Sequence, residues 1–278
     1  MANSHGRFLW YQLLTTDVEA AQAFYAEVVG WGTRDASAPG MPYTLFTAGE
    51  ASVAGLMGLS KDAARMGARP SWLGYVGVDD VDATADRIQR LGGVVHVPPT
   101  DIPDVSRFAI VADPQMATVG LFKGMKPRQE QVGDPRSRGR VGWHELLAAD
   151  CEQAWAFYGE LFGWQKAQAN VGAMGEYQQF SAGGQTIGGM MNKPPTVLDP
   201  CWLYYFNVGD IDAAVKRVKA GGGQVLRGPT EVLDGNWIVQ CADPQDVMFA
   251  LLGRRGLGYF ERVDRASEGT PKRRRADR

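Results

Sequence analysis

The stretch that decides the fold is FYAEVVGW at Phe24–Trp31, because it returns as FYGELFGW at Phe157–Trp164. Upstream of it, Trp10–Leu14 matches Trp143–Leu147, and both matches have the same spacing of 133 residues. Two copies of an eight-residue stretch with matching flanks do not arise by chance. The sequence therefore predicts one domain that is present twice in a chain of 278 residues.

The repeat continues downstream at a spacing of 130 residues, where Trp72–Val78 matches Trp202–Val208 and Asp113–Gln115 matches Asp243–Gln245. The drift of the spacing is so small that only a short insertion or deletion separates the copies. The predicted organisation is a first domain at 8–123, a linker at 124–140, a second domain at 141–252 and a basic tail at 253–278, which is expected to be disordered.

Within each copy, one strand–helix–strands pattern occurs twice. Asp17 and Asp150 are positioned to cap the first helix, and Gly30 is positioned to end it in the first copy. A second strand and helix follow, ending at Gly92-Gly93 in the first copy. One helix followed by a run of short strands is typical of an α+β domain with largely antiparallel pairing. The chain is therefore predicted to hold four βαβββ modules.

Composition and charge exclude several classes of function. The net charge is −2, but the tail from Arg262 onward carries +4, so the rest of the chain is acidic at −6. An acidic body argues against nucleic acid as a partner. No apolar run reaches the length of a membrane span, and Cys151, Cys201 and Cys241 show no metal or disulfide spacing. We expect a cytoplasmic protein with reduced thiols and no membrane partner.

The repeated motifs resemble those of the vicinal oxygen chelate superfamily, which includes glyoxalase I, bleomycin-resistance proteins, fosfomycin-resistance enzymes and extradiol dioxygenases. The resemblance is carried by the capping Asp, the Phe-Tyr and Gly-Trp pairs, the turn into the second helix and the Asp-Pro turn, in both copies. It implies that two modules curl into a half-barrel with a concave ligand site. Tandem domains with Trp-rich strands look closest to a glyoxalase-like or hydroxylase-like branch.

The resemblance also implies where metal ligands would lie, and the residues there are not ligands. The positions that hold His, Glu or Gln in metal enzymes of the superfamily fall here on Trp10, Leu73 and Gly120 and on Trp143, Leu203 and Ala250. None of these side chains donates a lone pair to a divalent ion. We therefore expect no cofactor, and a divalent metal remains the less favoured alternative.

Alternation along the opening and restarted strands predicts which side chains line each cleft. The candidates for ligand binding are Trp10, Gln12, Met57 and Tyr75 in the first copy and Trp143, Met190 and Tyr205 in the second, with Met191 beside Met190. Aromatic and thioether surfaces suit a flat or amphipathic organic molecule. The alternative is that these side chains simply fill the half-barrel.

Glu145 is the candidate catalytic residue, because a carboxylate beside Trp143 in an apolar strand would have a raised pKa and could act as a base. Its alternative role is that of an edge carboxylate paired with Arg107, Arg140 or a backbone amide. His144 lies one residue from a ligand position, so alternation turns it away from the cleft, where it is expected to be buried and hydrogen bonded.

Three functions remain open from the sequence. The favoured one is binding of a small aromatic or amphipathic molecule, in the manner of a bleomycin-resistance protein and without metal. The second is an enzyme with a degenerate metal site that uses Glu145, either a glyoxalase-like lyase or isomerase or a dioxygenase-like or hydroxylase-like oxidoreductase. The third is an interaction protein with filled half-barrels. Since the duplication supplies both domains, we expect a monomer or a homodimer.

Overall fold

The computed structural model describes residues 4–125, 134–172 and 175–256. Each copy of the repeat forms one eight-stranded sheet. The first copy contains β1 (Phe8–Thr15), α1 (Val18–Val29), β2 (Gly32–Asp35), β3 (Thr44–Ala48), β4 (Ala51–Gly58), α2 (Lys61–Arg65), β5 (Ser71–Gly77), α3 (Val81–Arg90), β6 (Val94–Ile102), β7 (Ser106–Ala112) and β8 (Thr118–Gly124).

The second copy repeats this order without a counterpart of α2. It contains β9 (Val141–Ala148), α4 (Cys151–Phe162), β10 (Gln165–Gly172), β11 (Gly175–Ala182), β12 (Gln185–Asn192), β13 (Cys201–Asp210), α5 (Ile211–Ala220), β14 (Gln224–Glu231), β15 (Trp237–Ala242) and β16 (Met248–Arg254). No helix among the described residues has both the length and the apolar character needed to cross a bilayer.

The sheet order is β2-β3-β4-β1-β5-β8-β7-β6 in the first copy and β10-β11-β12-β9-β13-β16-β15-β14 in the second. Each sheet is thus two four-stranded modules joined along the antiparallel pair of their opening strands, β1–β5 or β9–β13. This confirms the α+β fold with two modules in each of two tandem domains. Pairing is mostly antiparallel, but β1–β4, β5–β8, β9–β12 and β13–β16 are parallel.

The ends of the first helix follow from local chemistry. The Asp17 side chain accepts a hydrogen bond from the Ala20 amide at 3.0 Å, and Asp150 does the same for Gln153. These carboxylates satisfy amides that have no partner within the helix. Gly30 ends α1 with a φ of 86°, a left-handed conformation that glycine adopts without strain.

The two repeated motifs meet across the domain interface. The Tyr25 hydroxyl, from the Phe-Tyr pair of α1, donates to Asp243 of the second domain's Asp-Pro turn at 3.1 Å. It accepts from the Trp72 indole at 2.9 Å. The reciprocal bond joins Tyr158 of α4 to Asp113. Each domain's first helix therefore packs on the other domain, and both contribute to one aromatic core.

The Asp-Pro turns are built to receive these tyrosines. The Oδ1 atom of Asp243 accepts from the amides of Gln245 and Val247 at 2.8 and 2.9 Å, and its Oδ2 is left for Tyr25. Burial raises the pKa of the Asp113 and Asp243 carboxyls, and the hydrogen bonds oppose this shift. The repeated Asp-Pro pair therefore has a structural role.

At the centre of the interface, β1 and β9 face each other through Tyr11 and His144. The Tyr11 hydroxyl lies 2.6 Å from Nε2 of His144, and Nδ1 of His144 lies 2.6 Å from the Ile187 carbonyl. A carbonyl only accepts, so Nδ1 donates to it, and because burial lowers the pKa of His144 and keeps the imidazole neutral, Nε2 accepts from Tyr11. His144 is 7% exposed. The sequence interpretation of a buried, hydrogen-bonded histidine agrees with this position.

The strand predictions missed β2 and β10, which are the outer edges of the two sheets. Every residue of β2 is exposed, so no alternation of apolar and polar residues marks it. The predicted domain limits, the linker at 124–140 and the tail at 253–278 remain predictions, since residues 126–133 and 257–278 lie outside the described residues.

The buried imidazole makes a testable contribution to stability. Burial lowers the pKa of His144 to about 4, from an ordinary value near 6.5. The unfolded chain therefore takes up a proton below about pH 6.5 that the folded chain accepts only near pH 4, so stability falls as the pH drops through this window. Relative to that of a His144→Gln variant, the free energy of unfolding of the wild type should fall by about 2 kcal/mol between pH 6.5 and 5.

The measurement is the free energy of unfolding in urea for both proteins across this range. The difference between the two proteins cancels the opposite contribution of Asp113, Asp243 and Glu145, whose pKa values are raised. A difference that stays constant from pH 7 to 4.5 would mean that His144 takes up its proton over the same pH range in the folded and the unfolded chain.

Candidate binding clefts

Strand alternation gives each sheet two faces with different roles. On β1, Tyr11 and Leu13 face the shared core, so Trp10 and Gln12 face the opposite side. We call this opposite side the cleft face. On β9, His144 and Leu146 face the core, which turns Trp143 and Glu145 to the cleft face. Because the core faces pack together, the two clefts open on opposite sides of the molecule.

Register pairing aligns one row of residues across each cleft. In the first cleft, the row runs from Trp10 through Tyr75, Gly120 and Ile110 to Val97. In the second cleft, the matching row runs from Trp143 through Tyr205, Ala250 and Gln240 to Arg227. The strands that start and end the two rows are equivalent in the two copies, so the rows can be compared position by position.

A Trp–Tyr hydrogen bond is present in both clefts. The Trp10 indole donates to the Tyr43 hydroxyl at 3.1 Å, and the Trp143 indole donates to Tyr177 at 2.7 Å. All four rings are half-buried. Each tyrosine lies over a glycine, Gly55 or Gly189, where a Cβ atom would collide with the ring. The glycines of these strands thus make room for aromatic side chains on the cleft face.

Gly120 serves the same purpose for Tyr75. A Cβ atom at position 120 would collide with the Tyr75 ring, which is itself 5% exposed. Tyr75 also meets Phe108 and Phe122 edge-on at 6.3 and 6.4 Å. The first cleft is therefore an aromatic surface that contains no ionisable carboxylate or amine in its row.

In the second cleft, hydrogen bonds converge on a buried carboxylate. Oε2 of Glu145 accepts from the Tyr205 hydroxyl at 2.7 Å and from Nε2 of Gln240 at 3.1 Å. The Tyr177 hydroxyl is a third donor to Glu145, while it accepts from Trp143. Gln240 also donates to the Tyr205 hydroxyl at 3.1 Å. Three donors of this network therefore bind Glu145, and the other two bonds end on the tyrosine hydroxyls that donate to it.

This environment sets the electrostatics of the second cleft. Glu145 is 5% exposed. Burial raises the pKa of the Glu145 carboxyl, and the donors Tyr205, Tyr177 and Gln240 together with the charge of Arg227 oppose the shift. Burial and the Glu145 charge in turn raise the pKa of Tyr205 well above its usual range. A desolvated carboxylate with a raised pKa is a competent proton acceptor.

Gln12 occupies the position of Glu145 in the first cleft. Its Oε1 lies 3.4 Å from the Tyr43 hydroxyl, and its Nε2 donates to the Met57 sulfur at 2.9 Å. An amide cannot take up a proton at neutral pH, so the two clefts differ in chemistry while they share a framework.

The mapped metal positions do not fit a metal ion. Trp10, Leu73 and Gly120 come together in the first cleft, and Trp143, Leu203 and Ala250 come together in the second. Indole, alkyl and hydrogen groups offer no ligand atom. Within the described part of the chain, no three His, Cys, Asp or Glu side chains are grouped so that they could hold a metal.

The structure brings together most of the predicted cleft residues. Trp10, Gln12, Met57 and Tyr75 meet in the first cleft, and Trp143, Glu145 and Tyr205 meet in the second. Met190 does not join them, because it pairs with Leu146 and is fully buried in the core cluster. The prediction for Met190 is wrong. Met191, which pairs with Leu147 on the cleft face, takes the place equivalent to Met57.

The alternative role of Glu145 as an edge carboxylate is also corrected. β9 lies at the centre of its sheet, between β12 and β13. Arg107 is in the other domain's sheet, where it binds Asp82 at 2.6 Å and Asp101 at 2.9 Å. The partners of Glu145 are side-chain hydroxyl and amide groups.

Four cleft residues were missed in the sequence: Tyr43, Tyr177, Gln240 and Arg227. Tyr43 directly precedes β3 and Tyr177 lies in the equivalent strand β11, so both could have been found from the repeat. Gln240 and Arg227 replace Ile110 and Val97 at the spacing of 130 residues, so a comparison of the copies for polar replacements would have marked them.

Two surface hollows lie away from both clefts. One, of about 440 Å³, lies between the domains beside Arg87 and Glu160, which pair at 3.1 Å. The other, of about 200 Å³, lies beside Trp155 and Lys166, and Lys166 is placed over the Trp155 ring. Arg87, Glu160 and Lys166 already have partners on the protein, so the clefts remain the stronger candidates.

Comparison with known proteins agrees with this architecture. The family model of the glyoxalase/bleomycin resistance protein/dioxygenase superfamily matches residues 7–121 and again residues 140–251. A Mycobacterium tuberculosis protein named "Putative glyoxylase CFP32" is 33% identical over 247 residues, covering 87% of this chain and 93% of its own length. The anthracycline biosynthesis protein DnrV of Streptomyces peucetius is 30% identical, covering 88% of this chain and 92% of its own.

Solved structures share the fold at low identity. The 2,2',3-trihydroxybiphenyl 1,2-dioxygenase of Sphingomonas wittichii superposes with a TM-score of 0.63 at 13% identity, covering 90% of this chain and 91% of that one. The Mn(II)-bound glyoxalase of Novosphingobium aromaticivorans gives 0.60 at 16% identity, covering 90% and 82%. With the family model matched in both halves, the chain belongs to the glyoxalase/bleomycin resistance protein/dioxygenase superfamily.

Proposed function

We propose that the protein binds a small aromatic or amphipathic molecule on the cleft faces of its half-barrels, and that it does so without a metal ion. The observation that carries this proposal is the Trp–Tyr hydrogen bond present in both clefts. It holds a half-buried indole ring against a floor of buried aromatic and aliphatic side chains. Flat ligands gain from stacking on such rings.

The chemistry of the mapped metal positions supports the metal-free part of the proposal. Both clefts place aromatic or aliphatic groups where ligand atoms would be needed, and the collision of a Cβ at Gly120 with Tyr75 leaves no room for a longer side chain there. A name that refers to anthracycline biosynthesis, carried by a relative at 30% identity, is compatible with a polycyclic aromatic ligand.

A second function, catalysis by Glu145, is supported by the hydrogen bonds from Tyr205 and Gln240 and the burial of this carboxylate. Glu145 can accept a proton from a carbon or oxygen acid, which is the step that lyases and isomerases share. The hydrogen-bond donors around Glu145 would hold the carboxylate in position before the proton is transferred.

Binding can be tested with anthraquinone, a flat and uncharged aromatic molecule, by quenching of tryptophan fluorescence. Trp143→Ala should weaken binding by about tenfold, since the loss of a stacking ring costs about 1–2 kcal/mol. Trp10→Ala is the matched variant in the first cleft, and comparison of the two assigns the ligand to a cleft. Dialysis against EDTA should leave the affinity unchanged.

Two results would contradict the proposal. Unchanged quenching in the Trp10→Ala/Trp143→Ala double variant would place the ligand elsewhere. A stoichiometric transition metal in the purified protein, with affinity lost on its removal, would disprove the metal-free part.

Catalysis can be tested by deuterium exchange at the acidic C–H of 2-tetralone, an aromatic ketone, followed by NMR. The wild type should accelerate exchange, and Glu145→Gln should lower that acceleration by at least about a hundredfold because the proton acceptor is lost. Affinity for the ketone should be unchanged. Gln12→Ala is the control in the first cleft, and equal rates for wild type and Glu145→Gln would remove Glu145 from catalysis.

The buried carboxylate should cost stability. Its folded pKa is raised, so the folded state loses stability relative to the unfolded chain as the pH rises from the ordinary Glu value through the folded one. Glu145→Gln should raise the melting temperature by roughly 3 °C at about pH 8, and the gain should disappear near pH 4. Gln12→Glu should have the opposite effect, and a lower melting temperature for Glu145→Gln would show that the charge is stabilising.

A further inference from the structure

In the second cleft, polar residues replace the two apolar residues that end the row, and a carboxylate replaces an amide beside the residue that starts it. At three equivalent positions, the first cleft has Gln12, Ile110 and Val97, and the second has Glu145, Gln240 and Arg227. The remaining positions of the rows keep their aromatic or small character. The replacements therefore add an acid, an amide and a cation together, on one face of one sheet.

The register brings these three groups to one place. Arg227 on β14 pairs with Gln240 on β15, and Nε2 of Gln240 reaches Oε2 of Glu145 at 3.1 Å. The charge of Arg227 acts on Glu145. Glu145 is buried, Gln240 is half-buried and Arg227 is exposed, so the three groups form a gradient from the floor of the cleft to its rim.

Arg227 is available to a ligand. In the described part of the chain it forms no ion pair within 4 Å, whereas Arg87, Arg107 and Arg255 each bind a carboxylate. A guanidinium that has no ion-pair partner among the described residues and lies beside the Gln240 amide is a suitable partner for an oxygen anion on a planar molecule.

We propose that Arg227 and Gln240 form an oxyanion-binding site in the second cleft, which selects aromatic compounds with an acidic hydroxyl or an enolisable carbonyl group and holds them as their conjugate bases. The inference rests on the proposed binding of aromatic molecules and names the class that this cleft takes. The first cleft, with Val97 and Ile110 at these positions, takes uncharged rings.

The proton balance is closed within the site. The ligand's O–H or C–H bond breaks, an O–H bond forms on the Glu145 carboxylate, and the electron pair stays on the ligand. Its charge then lies on the oxygen that faces the Arg227 guanidinium and the Gln240 amide, whose N–H to Oε2 of Glu145 is released when that carboxylate takes up the proton. The net charge of the site does not change, so the transfer needs no further ion and no oxidant or reductant.

The test uses the full chain and two probes of equal ring size. 4-Nitrophenol absorbs at longer wavelength as phenolate than as phenol, and 4-nitroanisole has the same ring without an acidic proton. At about pH 6, where free 4-nitrophenol is largely protonated, addition of protein should produce the phenolate band. The wild type keeps the proton on Glu145, so in weakly buffered solution with a pH indicator its phenolate should form without proton release, whereas Glu145→Gln should release one proton for each phenolate that forms.

Arg227→Val, which copies the first cleft, should weaken binding of 4-nitrophenol by about tenfold or more, the usual effect of losing a hydrogen bond to a charged group. It should leave the affinity for 4-nitroanisole unchanged. Val97→Ala, the matched change in the first cleft, should leave the phenolate band unchanged.

The outcomes separate the two proposals. If 4-nitroanisole binds but 4-nitrophenol is bound as the neutral phenol, or if Arg227→Val retains the phenolate band and the affinity, the oxyanion site is wrong and aromatic binding stands. If neither probe quenches tryptophan fluorescence or competes with anthraquinone, aromatic binding itself is wrong and the oxyanion site falls with it.

Discussion

The structure depends on a hydrogen bond that each domain makes with the other, between the tyrosine of its first helix and the aspartate of the partner's Asp-Pro turn. A curved sheet has an outer face that must be covered, and a single domain lacks the material to cover it. Here α1 packs on its own sheet and on α5 and β13 of the second domain, and α4 packs on its own sheet and on α3 of the first. The buried Tyr25–Asp243 pair, backed by the Trp72 indole, requires both partners, since a lone buried carboxylate is costly. Separated domains would leave these groups without partners.

The same arrangement determines where chemistry can occur. Because the core faces meet through Tyr11 and His144, the clefts face outward and their residues do not pack in the domain interface. In the first cleft, aromatic rings occupy these positions, and the Gln12 side chain is hydrogen bonded to Tyr43 and to the Met57 sulfur. In the second, an equivalent framework surrounds Glu145. Belonging to a superfamily with metal enzymes does not determine the chemistry, because function is decided by the side chains of the site.

Much of the fold could be predicted from the sequence because the repeat provides two independent copies of each signal. The capping Asp, the glycine after α1 and the two-module order all follow from it. The edge strand β2 could not be predicted, since a fully exposed strand leaves no periodic trace. Met190 was misassigned because β12 carries a one-residue shift relative to β4, and a one-residue shift moves a strand residue to the other face. Arg227 lies far along the chain from Glu145, so only the sheet register joins them.

Strand alternation has a consequence for how such a protein can change over generations. On β1 and β9, each residue that holds the domains together is followed by one that faces a cleft, as Tyr11 is followed by Gln12 and His144 by Glu145. A mutation that alters ligand preference can therefore occur beside the structural bonds without breaking them. Each half of the duplicated chain can acquire its own specificity while the other half preserves the scaffold, so the molecule is able to diversify one cleft at a time.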